Sequence, residues 1–168
     1  EALLAESPYR FGFDCFCNGD WLGKLLHDRY GLWTCVWQQA VDALHYHPGP
    51  AHERSRNRIA FYAPRGQPRH AVELGLLALE RLHSEYRQDV HVDMFGQTLE
   101  LQDVPYTFTN HGLLSADELG ALYRHATIGM VFSATNGTVV TREMMACELP
   151  VLDLNVESVR AMYPQHVL

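Results

Sequence analysis

The chain lacks any long apolar run, any basic run and any dense cysteine framework, and each absence removes a class of function. No stretch approaches the ~20 apolar residues that a membrane-spanning helix needs. Lys and Arg total 13 against 20 Asp and Glu, a net charge of −7 with ten histidines left neutral. An acidic chain without a basic cluster is a poor nucleic-acid binder. A small phosphorylated ligand remains open, because a few placed arginines and backbone amides suffice for one. The four cysteines are Cys15, Cys17, Cys35 and Cys147. Only Cys15-x-Cys17 is closely spaced, and without a second pair it makes a poor metal set. Buried, reduced thiols in a cytoplasmic protein are the expectation. No G-x-G-x-x-G or G-x-x-x-x-G-K-[ST] is present, so dinucleotide and P-loop readings have no support. No D-x-D pair stands near the candidate loops, so no metal and no cofactor are expected. No repeat or low-complexity segment appears.

What is present is a regular alternation. Phe13–Cys17 reads as a strand, Asp20–Tyr30 as a helix ended by Gly31, and Leu32–Trp37 as a strand. Residues 38–57 contain "HYHPGPAHERSRN", polar and proline-bearing, and read as a linker. Beyond it come a strand at Arg58–Ala63, a helix at Pro68–Tyr86 and a strand at Val90–Phe95. A weaker strand at Tyr106–Asn110 and a helix at Ser115–His125 follow. The remaining elements are a strand at Ile128–Phe132, a helix at Val139–Cys147, a strand at Val151–Leu154 and a helix beginning at Val156. Ser115 and Glu118 have capping-box spacing, and Leu114 and Leu119 fit a hydrophobic staple. Strands that alternate with helices and are apolar throughout indicate a parallel sheet covered on both faces. The chain opens at Glu1 inside what reads as an element, and its last helix barely begins before Leu168. The natural chain is therefore expected to be longer at both ends.

In such a sheet, ligands bind beyond the carboxyl ends of the strands. In "YAPRGQPRH", Arg65 and Arg69 flank a strand-to-helix turn. They are either a guanidinium fork for phosphate oxygens or two solvated side chains. In "FSATNGTVVTREMMACELPV", small residues leave backbone N–H groups uncovered at a helix start. Gly137 allows close approach and unusual φ, and Asn136 or Thr138 is a candidate helix cap. Either the turn is a capped helix start or it cradles an anion. Glu143, one turn into the helix, is either a solvated glutamate or an acceptor for a ribose diol. His111 follows a strand, where it would face the ligand cleft.

Taken together, "RIAFYAPRGQPRHAVELGLLALERL", "VDMFG" and "GLLSADELGALYRHATIGMVFSATNGTVVTREMMACELPVLDL" resemble the C-terminal, donor-binding half of GT-B-fold glycosyltransferases. "EMMACELPV" is similar to the E-A-M-A-C-G-x-P-V segment of the large retaining class. The WsaF-type bacterial rhamnosyltransferases, which build surface polysaccharide, carry similar F-Y-A-R-P…P-R-R and T-N-x-S/T stretches. "FDCFCNGDWLGKLLHDRYGL…VDALHYHP" resembles the end of their N-terminal domain and the crossing into the second. The implied fold is α/β, a Rossmann-like parallel sheet with helices on both faces. Residues 1–37 would end the acceptor-side domain, 38–57 would link the domains, and 58–168 would bind donor.

The implied activity is transfer of rhamnose from dTDP-rhamnose to a growing polysaccharide, in the cytoplasm or at the inner membrane face. The glycan acceptor would bind through the rest of the N-terminal domain. By the same resemblance Arg65, Arg69, Asn136, Gly137 and Thr138 would hold the diphosphate and Glu143 the ribose. Gly96, Asn110, His111 and Thr135 would lie near the base or sugar. Three departures stand out. Thr135 occupies the place of a second glutamate of the retaining class, "A-P-R" stands where relatives read "A-R-P", and Glu148 stands at the usual glycine after the helix. A doubly wound binding module without chemistry, or a sugar-nucleotide epimerase, is the rival expectation.

Overall fold

The computed structural model describes residues 6–50, 54–64, 66–86, 89–97 and 105–163. A two-stranded parallel sheet comes first, from β1 (Cys15–Asn18) and β2 (Thr34–Trp37), joined by α1 (Asp20–Tyr30). Cys17 is buried and Cys15 half-buried under α1, while Phe16 between them is 76% exposed. All four cysteines are free thiols.

The larger sheet contains β3 (Arg58–Tyr62), β4 (His91–Phe95), β5 (Thr107–Gly112), β6 (Ile128–Met130) and β7 (Val151–Leu152). Its order is β5-β4-β3-β6-β7 and every pairing is parallel. Between the strands run α2 (Val72–Tyr86), α3 (Ala116–His125) and α4 (Val139–Ala146), and α5 (Glu157–Met162) follows β7. Alternate residues of β3 part to opposite faces, as a strand's period of two requires. Ile59, Phe61 and Ala63 pack with Val72 and Leu79 of α2 on one face. Ala60 packs with Tyr123 of α3 and Met144 of α4 on the other. This is the doubly wound arrangement that double-sided burial of apolar strands demands.

The helix starts differ from the periodicity at one place. Pro68–His70 is a 3-10 turn, Ala71 is left-handed at φ 40°, and α2 begins only at Val72. The capping box at Ser115 forms as the spacing indicates. Glu118 N–H donates to Ser115 Oγ, and the Glu118 carboxylate accepts from Ser115 N at 2.8 Å. At the other end of the chain, α4 closes with Glu148 left-handed at φ 56°. Glu148 N–H donates to Met145 O and Leu149 N–H to Met144 O, the paired bonds of a Schellman motif. A non-glycine residue there costs about 1 kcal/mol. The Arg54 guanidinium donates to Cys147 O at 2.8 Å and to Glu148 O at 2.7 Å, which offsets the strain.

Among the described residues, 38–57 hold no strand or helix, yet the segment is pinned. Tyr46 is buried and stacks on Tyr123, ring centroids 5.9 Å apart. Arg124 donates to His45 O at 3.0 Å, Arg142 to Gln39 O at 3.0 Å, and Ser55 N–H to His125 O at 2.9 Å. No helix among the described residues is long and apolar enough to cross a membrane.

Candidate functional site at the switch point of the sheet

The strand order reverses direction between β3 and β6. The chain leaves β3 for the α2 face and leaves β6 for the α4 face, so the loops diverge and open a crevice beyond the strand ends. The two loops that border it hold the two arginine- and glycine-bearing motifs. They are tied together by Ala134 N–H, which donates to Arg69 O at 2.8 Å. A cleft of about 270 Å³ lies here, lined by Asn18, Gln39, Tyr62, Arg69, His70, Asn136, Gly137, Thr138, Val139 and Val140.

One wall of the cleft is the start of α4. Neither Asn136 nor Thr138 caps it. Thr138 stands at the N-cap position without a side-chain bond to the helix, and Asn136 Nδ2 instead donates to Gly137 O at 3.3 Å. The first N–H groups of α4 therefore face the cleft with the partial positive charge of a helix start. Gly137 does not use a left-handed backbone. It is needed because a Cβ there would stand 2.8 Å from Met162 Sδ and 2.9 Å from Tyr163 Oη. Tyr163 Oη also donates to Thr138 O at 3.1 Å, so α5 buttresses the turn from behind.

The opposite wall is the 3-10 turn. The Arg69 guanidinium donates to Gln67 Oε1 at 2.9 and 3.1 Å, which holds it beside the cleft. His70 is 5% exposed, edge-on to Tyr62, and its Nδ1 finds no hydrogen-bond partner among the described residues. Burial and the neighbouring Arg69 charge hold the imidazole below its ordinary pKa, so it is neutral at pH 7. Arg65 lies outside the described residues.

Asp153 anchors the loop that leads into this turn. Its Oδ1 accepts from Ser133 N and Leu154 N, each at 2.7 Å, which fixes Ser133, in the loop after β6, to the end of β7. Burial raises its carboxyl above the usual range against those hydrogen bonds.

Glu143 does lie one turn inside α4, but it is half-buried and stands off the cleft lining. Burial raises its carboxyl pKa, and a hydrogen bond from Tyr46 pulls the other way. Tyr46 is in turn pushed up to about 12 by burial and by the Glu143 charge. Nothing local in the sequence shows that the linker tyrosine meets this carboxylate.

The four residues expected near the base or sugar separate. Thr135 Oγ1 donates to Asn136 Oδ1 at 3.0 Å, beside the cleft. Gly96 has φ 102° and its N–H donates to Gly112 O at 2.8 Å. A Cβ there would stand 2.7 Å from the Tyr62 ring. Asn110 and His111 sit inside β5, which runs to Gly112 instead of ending at Asn110. There Asn110 Oδ1 accepts from Gly112 N at 3.3 Å, and His111 Nε2 lies 2.9 Å from Asp93 Oδ1. Asp93 is fully buried and takes a two-point pair from Arg58, at 2.6 and 2.8 Å. His111 thus joins an internal charge network. Among the described residues no group of three or more His, Cys, Asp or Glu is arranged to hold a metal ion.

No protein-family model matches the chain. The O-antigen biosynthesis protein RfbC of Myxococcus xanthus is 34% identical over 154 residues, which is 90% of this chain and 12% of that protein. Among solved structures, a sucrose-phosphate synthase from Thermosynechococcus elongatus superposes with TM-score 0.71 at 15% identity, over 92% of this chain and 43% of the other. The GtfA/B complex superposes with TM-score 0.59 at 12% identity, over 87% of this chain and 31% of the other. The chain therefore spans a small part of the curated relative and under half of either structural neighbour. These likenesses and the parallel five-stranded order establish the fold: a Rossmann-like α/β sheet of the GT-B type, with a further βαβ unit before it.

Proposed function

We propose that this chain is the donor-side part of a glycosyltransferase of polysaccharide biosynthesis, taking its sugar from a nucleoside diphosphate. The observation that carries the reading is the start of α4. It is an uncapped helix N-terminus at the sheet's switch point, with Arg69 held across the cleft. An anion there meets backbone N–H groups, a helix dipole and a guanidinium at once. The O-antigen relative supports a role in surface polysaccharide. With the rhamnosyltransferase motifs it favours dTDP-rhamnose as donor, handled without a metal in the cytoplasm or at the inner membrane face. The glycan acceptor would approach from the β1–α1–β2 side and from residues beyond this chain.

Within this reading Arg65, Arg69 and the amides of Asn136, Gly137 and Thr138 hold the diphosphate, and Glu143 accepts from the nucleotide's pentose, in dTDP from the 3′-hydroxyl of its deoxyribose. Glu143 is reached once its hydrogen bond with Tyr46 is shared or exchanged. Its raised pKa makes pentose binding pH-dependent, because acceptance needs the ionised form. Calorimetric titration of the intact protein with dTDP, UDP and GDP, with and without EDTA, tests the assignment. Micromolar binding of one nucleotide, indifferent to EDTA, is expected. Binding of none, or strict dependence on magnesium or manganese, would overturn it. Glu143→Gln should weaken that nucleotide about ten- to hundred-fold, the loss of one charge-assisted hydrogen bond. Arg65→Ala should weaken the diphosphate and leave the bare nucleoside unaffected.

A further inference from the structure

The cleft has a third wall that neither phosphate motif supplies. Asn18 ends β1 and Gln39 follows β2, so both come from the smaller βαβ unit and reach the phosphate turn from the opposite side. Asn18 Oδ1, Gln39 Oε1 and Thr138 Oγ1 are each withdrawn from solvent without a hydrogen-bond partner among the described residues. A buried polar atom left unsatisfied is costly. The Thr138 hydroxyl can donate to a phosphate oxygen, but the amide oxygens of Asn18 and Gln39 only accept, so they call for a ligand that donates. Asn18 and Asn136 are shared with an adjoining cavity of about 330 Å³, walled by Trp21, Leu22, Leu25 and Met162.

The proposal rests on the donor assignment above. Of the parts of a sugar nucleotide, the diphosphate has no hydrogen-bond donors at neutral pH. The pentose is assigned to Glu143, away from this lining. The base, whose N–H also donates, is carried on the pentose and goes with it away from this lining, so the remaining donors are the hydroxyls of the transferred sugar. A pyranose also has an apolar C–H face, and the Trp21 side of the adjoining cavity matches it. We propose that Asn18 and Gln39 form the donor-sugar subsite, accepting from sugar hydroxyls while the diphosphate lies on the start of α4. The small βαβ unit thereby reads the sugar, and the large sheet reads the nucleotide.

The test compares two ligands on each protein. Calorimetry on the intact protein uses the nucleoside diphosphate that binds (dTDP, UDP or GDP) and the matching sugar nucleotide, dTDP-rhamnose, UDP-glucose or GDP-mannose. Asn18→Ala and Gln39→Ala should each weaken the sugar nucleotide roughly two- to tenfold and leave the nucleoside diphosphate unchanged. Gln39 is the safer variant, because its backbone oxygen, not its side chain, anchors Arg142. Unchanged binding of the free diphosphate also reports that the variant is folded. If both ligands weaken equally, or neither does, the subsite is wrong and the donor reading stands. If the wild-type protein binds no nucleoside diphosphate, the donor reading itself falls, and the subsite with it.

Discussion

Asp93 and Glu143 are both carboxylates withdrawn from water, and their surroundings are opposite. Asp93 is fully buried but meets a guanidinium at two points and an imidazole at a third. The paired groups outweigh its burial, and its pKa falls below the ordinary value. Glu143 is only half-buried, but no cation among the described residues answers it, and burial raises its pKa against a single tyrosine hydroxyl. One carboxylate is satisfied within the fold, and the other has capacity left for a ligand. Charge compensation, more than depth, separates a structural carboxylate from a candidate binding one.

The widest separation should appear in stability. Asp93→Ala leaves the Arg58 charge without its partner, and removing one member of a buried pair costs roughly 3–5 kcal/mol. Urea denaturation of the intact protein should show that loss. A change within 1 kcal/mol would mean that the network is already wet.

Glu143→Gln should move the other way. Its folded pKa lies above the unfolded value of ~4.3, so the ionised form opposes folding once pH rises through that folded value. Glu143→Gln should therefore raise the melting temperature at pH 7 while weakening nucleotide about ten- to hundred-fold. A fall in both would erase the contrast with Asp93.

The acid limb distinguishes the two carboxylates directly. Asp93 contributes stability above its unfolded pKa of ~3.9, which is lost as pH falls through its lowered folded value. Asp93→Asn should flatten that limb, and Glu143→Gln should leave it in place. Tyr46→Phe sharpens the comparison from the linker. It removes the hydroxyl that lowers the Glu143 pKa, so the pH midpoint of nucleotide binding should rise. A midpoint that does not move would place Tyr46 in a packing role only. The smallest effect is expected at the far end of α4, where Glu148→Gly should stabilise by about 1 kcal/mol.

The strand and helix order was legible because its signals are local. Apolar runs, the Ser115 capping box and the glycine-bearing turns each act within a few residues. The features that escaped depend on distant partners. Pro68–Tyr86 has one helical period, but the chain breaks at Ala71 as Arg69 O meets Ala134 and His70 packs on Tyr62. His111 looked like a loop residue because nothing nearby announces Asp93, which becomes its neighbour only through pairing of β4 and β5. The linker looked featureless, since a single buried tyrosine has no periodicity. Of the cleft, the glycine-bearing turn before α4 and Arg69 are legible in sequence. Asn18, Gln39 and Tyr46 are not, because each reaches its neighbours only when distant parts of the chain pack together.

The brace at the end of α4 carries an evolutionary consequence. Arg54 and Glu148 are separated by 94 positions, yet the guanidinium bonds the very carbonyl of the left-handed residue. Where glycine occupies position 148 that brace is dispensable, and where another residue does, losing the arginine exposes the strain. Among related sequences the two positions should therefore drift together. Arginine at 54 should accompany a non-glycine residue at 148, and a reversion to glycine should free position 54 to vary.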